Sequence, residues 1–204
     1  MRVVLLHGLG QSADVWDPIV AELPGEWTVE APSLYGRTSW EDLLEAVSEA
    51  VGIGPAVVCG LSMGAMLGVE FAARHPESVV GLHASGVELH VASVPARLRR
   101  AWLRLTAGKK IRRNGLPNSV VLDLDAALDG VDLREIMREV RVPTWVLVGE
   151  RDTDNTKDAR LLAAAVPGAE LVIVPGAGHE WNKEMPAKYA ADIENFVRRV
   201  IAGK

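Results

Sequence analysis

The run Ala56-Val57-Val58-Cys59-Gly60-Leu61-Ser62-Met63-Gly64, continued by Ala65-Met66-Leu67-Gly68-Val69-Glu70-Phe71-Ala72-Ala73-Arg74, constrains this chain more than any other stretch. Its first half reads as a strand buried on both faces, and its second half as a helix that begins with no linker. The join between them is Gly-x-Ser-x-Gly. A turn that takes a strand straight into a helix strains the backbone and brings neighbouring chain close, so glycine is expected on both sides of the serine. Ser62 then projects from the carboxyl edge of the sheet. The first N–H groups of the helix point to the same place, with a dipole suited to a developing oxyanion. This is the layout of a nucleophile elbow, although an ordinary turn serine also satisfies five residues of pattern.

The rest of the chain repeats the strand–helix alternation. Arg2-Val3-Val4-Leu5-Leu6 reads as a buried strand that breaks at His7-Gly8-Leu9-Gly10, and Ser12 is placed to cap a helix from about Ala13 to Leu23. Trp27-Thr28-Val29-Glu30 is a second strand, leading into a loop from Pro32 to Arg37. Ser39, with Asp42 three residues on, predicts a capping box opening a helix whose Leu43, Leu44, Val47 and Val51 share one face. Beyond the elbow come strand runs at Ser78–His83, Val142–Gly149 and Glu170–Val174, a helix around Lys157–Val166 and a last helix from about Pro186 to Ile201. Six strand runs separated by helices predict an α/β fold over 1–204: one domain, with a parallel sheet covered on both faces. Sites in such sheets form at the carboxyl ends of the strands.

Composition narrows what such a domain does. A length of 204 residues suits one domain with a real core, and 49% hydrophobic with 24% charged residues is ordinary for a globular protein. No apolar run approaches the roughly 20 residues that cross a bilayer, so no membrane span is expected. A net charge of −5 opposes general nucleic-acid binding, which needs cations gathered on one face. One cysteine forms no internal disulfide, and Met1 leads into strand-like sequence with no charged leader and apolar h-region, so a cytoplasmic location is expected. No Lys-bearing phosphate loop and no metal-ligand spacing is present, so no cofactor and no metal are expected. Composition leaves the oligomeric state open.

Two other strand ends carry groups that complete acyl-transfer chemistry. One reads Gly149-Glu150-Arg151-Asp152-Thr153-Asp154 and the other Pro175-Gly176-Ala177-Gly178-His179-Glu180. A serine hydroxyl is a poor nucleophile until a base takes its proton; an imidazole does so near neutral pH, and a carboxylate fixes its tautomer. Ser62, Asp152 and His179 supply these roles in the chain order Ser…Asp…His that accompanies this elbow. Asp154, Asp123 and Asp125 stay open as alternatives for the acid.

With those residues in place, the chain resembles the α/β-hydrolase fold superfamily, as a small serine esterase- or thioesterase-like member. The likeness runs over nearly the whole length through His7-Gly8-Leu9-Gly10, Gly60-Leu61-Ser62-Met63-Gly64, Gly149-Glu150-Arg151-Asp152 and Gly178-His179. It implies about six mostly parallel strands with helices on both faces and a small helical cap. It also implies Ser62 as nucleophile, His179 as base, Asp152 as acid, and the backbone N–H groups of Leu9 and Met63 as the oxyanion hole. The activity expected from it is hydrolysis of a small-molecule carboxylic ester through an acyl-enzyme. A thioesterase or C–C bond hydrolase on the same triad is an alternative, as is a non-catalytic small-molecule binder. The chain departs from the family pattern in two places: the strand before His7 starts almost at Met1, implying a smaller sheet, and Ala31-Pro32-Ser33-Leu34-Tyr35-Gly36-Arg37 replaces a common Asp and Gly-rich loop.

The remaining candidates have plainer readings. His7 is expected to organise the oxyanion loop, His75 to end a helix, and His83 and His90 to be structural or lid residues. Cys59 is expected to be buried and inert. The segment 90–139 falls where these enzymes carry a cap. Between Arg97 and Arg113 it holds eight of the chain's 22 Lys and Arg residues and no acid, whereas Asp123 to Glu139 is acid-rich. Two readings stand: a solvated basic face paired with the acidic half, or a patch that attracts an anionic substrate such as a carboxylated ester or carrier-bound thioester. Leu98, Trp102 and Leu105 share helical spacing and serve equally as pocket lining or as cap core.

Overall fold

Every residue of the central strand β3 (Ala56–Leu61) is buried, because helices cover both of its faces. The computed structural model describes residues 1–92 and 117–203. Around β3 lie β1 (Arg2–Leu6), β2 (Thr28–Glu30), β4 (Val79–Ser85), β5 (Thr144–Gly149) and β6 (Glu170–Val174), in the order β2-β1-β3-β4-β5-β6. All neighbouring pairs are parallel. Register places Leu6 beside Gly60, Leu61 beside Ser85, and Gly149 beside Val174, so the loops that follow open at one edge.

Side chains alternate across this sheet and divide the core in two. Val4, Leu6, Ala56, Val58, Val146 and Val148 pack against α2 (Trp40–Val51), α3 (Met63–Arg74) and α5 (Thr156–Ala165). Val3, Leu5, Val57, Cys59, Leu61 and Leu147 face the other way, onto Trp16, Ile19 of α1 (Asp17–Val20), Trp181 of α6 (Trp181–Glu184) and Tyr189, Ile193, Phe196 and Val197 of α7 (Pro186–Ala202). Continuous apolar strands are therefore required at the centre of the sheet, where neither face meets water. The capping box at α2 forms as expected: Ser39 Oγ accepts from Asp42 N–H, and the Asp42 carboxylate accepts from Ser39 N–H at 3.1 Å each.

Three elements differ from the sequence expectation. The helix expected over Ala13–Leu23 is a 3-10 turn (Ala13–Trp16) followed by the short α1, because Pro18 has no N–H for a helix continuing from Ala13 and is tolerated only in a first turn. Ser12 donates its hydroxyl to the Asp14 carboxylate and caps nothing. Strand β4 runs two residues further than expected, to Ser85, where Ser62 N–H donates to the Ser85 carbonyl at 2.8 Å. Between His179 and the last helix stands the separate single-turn α6.

Of the segment 90–139, residues 93–116, with the basic stretch Arg97–Arg113 and with Leu98, Trp102 and Leu105, lie outside the described residues. After them come α4 (Asn118–Ala127) and a 3-10 turn at Ile136–Glu139, and His90 bridges Asp132. Leu133, Met137 and Val140 are buried in the same core as α3. Among the described residues no helix is long and apolar enough to cross a membrane.

Candidate active site

Ser62 sits between β3 and α3 with φ 56° and ψ −117°, and it is the one non-glycine residue at positive φ among those described. Such a conformation costs on the order of 1–3 kcal/mol and persists only where its surroundings impose it. Here they do. A Cβ on Gly60 would lie 2.5 Å from Ala65 N, and one on Gly64 would lie 2.5 Å from the Leu6 carbonyl carbon, so both glycines are required by close backbone approach. The Ser62 carbonyl accepts from Met66 N–H at 3.0 Å, which starts α3 directly after the serine. Met63 N–H lies in the first turn, which has no intrahelical acceptor.

His179, between β6 and α6, has its Nδ1 2.7 Å from Asp152 Oδ2, and Asp152 itself is buried at the end of β5. Asn155 Nδ2 donates to the other carboxylate oxygen at 2.8 Å and lies 3.1 Å from His179 Nδ1. Burial pushes the Asp152 carboxyl up, yet the hydrogen bonds from His179 and Asn155 outweigh it and hold it below its ordinary value. An ionised carboxylate accepts, so Nδ1 is the donor of this pair and Nε2 is the ring nitrogen turned away from Asp152. Both groups lie against Gly86 at the end of β4: its Cβ would be 3.1 Å from His179 Nδ1 and 3.4 Å from Asp152 Oδ2. Gly86 follows Ser85, which takes the Ser62 N–H, so the serine and the imidazole flank one two-residue step of chain. Among the described residues no hydrogen bond joins the Ser62 hydroxyl to the His179 ring.

The loop after β1 forms the third wall. Gly8 abuts the serine, its Cβ position lying 3.3 Å from Ser62 Cβ. His7 is fully buried, with Nδ1 3.1 Å from the Gly8 carbonyl and Nε2 accepting from Leu34 N–H at 3.3 Å. Burial lowers its pKa, and both nitrogens are used by a neutral ring, so His7 shapes this loop.

A profile of the alpha/beta hydrolase family matches residues 3–192. The chain belongs to the alpha/beta hydrolase family. A relative in the family's neighbourhood is a pimeloyl-[acyl-carrier protein] methyl ester esterase of Aromatoleum aromaticum, 29% identical over an alignment covering 96% of this chain and 98% of the relative. Two solved structures share the fold: the enol-lactonase from Burkholderia xenovorans LB400 (TM-score 0.79, 23% identity, 97% of this chain and 91% of that one) and a thermophilic esterase from Thermogutta terrifontis (0.80, 22%, 98% and 90%).

Within this alpha/beta hydrolase chain the other sequence candidates fall elsewhere. Asp154 is exposed, and Asp123 and Asp125 lie on α4, so of the four acids Asp152 is the one bonded to His179. His75 ends α3 and stacks 4.6 Å from Phe71; His90 stands 3.7 Å from Asp132. His83 and Cys59 are buried in the sheet, and burial pushes the Cys59 thiol well above its ordinary value. Sequence reasoning missed Asn155, Ser85, Gln11 and Asn182. Asn155 had a local signal, its place three residues after Asp152, but an asparagine immediately before a helix reads as a cap; here its side chain caps nothing and holds the carboxylate. Ser85 and Asn182 show only through contacts distant in sequence, as does the side-chain pairing of Gln11 with Asn182.

Proposed function

We propose that this chain is a serine hydrolase that cleaves a carboxylic ester through an acyl-enzyme intermediate. The observation that carries the reading is the His179–Asp152 pair, seated on Gly86 beside the strained Ser62 turn. Ser62 Oγ attacks the ester carbonyl while His179 Nε2 takes its proton; the same proton goes to the leaving alcohol. Asp152 holds the imidazole in the Nδ1–H tautomer and stabilises the imidazolium, and Asn155 steadies the second carboxylate oxygen. The Leu9 and Met63 N–H groups receive the oxyanion, each such donor being worth roughly 10²–10³ in turnover. Water activated by His179 then releases the acid. In empty sites the serine–histidine hydrogen bond is often long and tightens with substrate.

The ester is preferred over a thioester because the Aromatoleum relative is a methyl ester esterase. The cationic stretch of eight Lys and Arg between positions 97 and 113 suits a substrate that carries negative charge. The single cysteine, Cys59, is buried and free, which fits work in the cytoplasm.

The test is labelling with an organophosphonate together with turnover of p-nitrophenyl esters and acyl thioesters. Wild type is expected to be labelled and active, with Ser62→Ala unlabelled and reduced roughly 10⁴–10⁶-fold. Activity retained by Ser62→Ala ends the assignment. Tight ligand binding with no labelling identifies a non-catalytic binder, and preference for thioesters moves the assignment to that class.

A further inference from the structure

The single turn α6 that follows His179 is anchored to three different walls of the site. Trp181 Nε1 donates to Ser85 Oγ at 2.7 Å, and Ser85 is the residue whose carbonyl takes the Ser62 N–H. Glu184 accepts from Gly178 N–H at 3.0 Å and from Arg151 at 3.1 Å. Asn182 reaches the opposite wall. Its Nδ2 donates to Gln11 Oε1 at 3.2 Å, and its Oδ1 accepts from Gln11 Nε2 at 3.3 Å. This reciprocal amide pair joins residues 171 apart in the chain. Both side chains are buried, at 2% and 1% exposure, so neither has water as a substitute partner.

The Gln11 end of the pair closes around Gly8. Gln11 Oε1 takes the Gly8 N–H at 3.3 Å, and Gln11 N–H donates to the Gly8 carbonyl at 3.1 Å. Because the peptide is planar and trans, a Gly8 carbonyl held toward Gln11 and His7 directs the Leu9 N–H the opposite way. The orientation of the Leu9 N–H is thus tied to the Gln11 main chain, and the Gln11 side chain, which holds the Gly8 N–H, is tied through Asn182 to α6, the turn that follows His179. Tyr35 adds a hydroxyl hydrogen bond to the Gln11 carbonyl at 2.6 Å.

We propose that the Gln11–Asn182 amide pair is a positioning device that sets the oxyanion-binding N–H of Leu9 in register with the base His179. The inference rests on the acyl-enzyme reading above and adds to it two residues that touch no substrate. A slack pair lets the oxyanion loop and the histidine arm move separately. The loss falls on the transition state, where the oxyanion exists, and spares the binding of neutral ester.

The test compares wild type with Gln11→Met, which keeps the side-chain length and removes the amide, with Asn182→Ala, and with the double variant. Turnover of p-nitrophenyl butyrate per organophosphonate-titrated site is expected to fall roughly 10–100-fold in each single variant, with KM within about twofold. Affinity for trifluoromethyl propyl ketone, whose serine adduct carries an oxyanion, is expected to fall by the same factor as kcat/KM. The double variant is expected to be no worse than the poorer single one, because either change disables the whole pair. Asn182→Ala approaches from the other arm and keeps the test open if Gln11→Met does not fold. Variants with fewer titratable sites or a lower melting temperature, but normal turnover per site and normal ketone affinity, show a purely structural pair and overturn the proposal. An inactive wild type removes the acyl-enzyme reading and this one with it; an active wild type with unaffected variants removes only this one.

Discussion

Replacing His83 with leucine changes how stability depends on pH. His83 is fully buried on β4, its ring 5.5 Å from Tyr189 and 5.9 Å from Phe196, and neither ring nitrogen has a hydrogen-bond partner among the described residues. Desolvation pushes its pKa down from 6.5 to about 3. Tyr189 and Cys59, both pushed up by burial, stay neutral in acid and offer no counter-charge. The folded pKa lies below the unfolded one, so the unfolded chain binds a proton that the folded chain refuses. Stability is therefore lost as pH falls from about 6.5 toward 3. At about 1.4 kcal/mol per pH unit, the loss from this one group is about 3 kcal/mol between pH 7 and pH 4. Urea unfolding of wild type and His83→Leu at pH 7, 6, 5 and 4 isolates it, because Asp192, which burial raises, and every other group are common to both proteins. The leucine variant, which gives up no hydrogen bond, is expected to match or exceed wild type at pH 7 and to gain relative stability at each step into acid. Parallel stability curves refute the buried, neutral histidine.

Asp152→Asn is expected to lower kcat/KM roughly 10⁴-fold by permitting the wrong His179 tautomer, whereas Asp154→Asn, on an exposed side chain, stays within about twofold; ester kinetics decide it. Gly64→Ala places a Cβ 2.5 Å from the Leu6 carbonyl carbon and is expected to cost about 4 kcal/mol or more, read as loss of soluble protein or a large shift in urea midpoint. Gly25→Ala, with open space around its Cβ, is the near-neutral control. Ser39→Ala removes one half of the α2 capping box and is expected to cost about 1 kcal/mol, a melting temperature lower by roughly 2–4 °C.

Much of the fold was legible because it follows from local chemistry. The unbroken apolar runs at Val3–Leu6 and Ala56–Leu61 announce strands with no wet face, and the paired glycines around Ser62 announce a turn with no room for Cβ. Local pattern departs from the structure where a neighbouring residue overrides it, as Pro18 does in the run Ala13–Leu23, or where the deciding contact lies across the molecule. The choice between Asp152 and Asp154 illustrates the second case. Both follow β5 and are two residues apart, and only the fold turns the first inward to His179 while leaving the second in water.

From residues alone came the parallel α/β sheet, the edge at which its loops gather, and the candidate serine, histidine and acids on those loops. These are set by side-chain volume, backbone sterics and strand direction, which act over a few positions and so are written in the local sequence. Tertiary structure decided which carboxylate faces the imidazole, how far β4 runs beneath the serine, and that Gln11 and Asn182 share two hydrogen bonds across 171 positions. Such pairings depend on where separate elements come to rest against one another, and no periodicity or spacing encodes a distance between two buried amides.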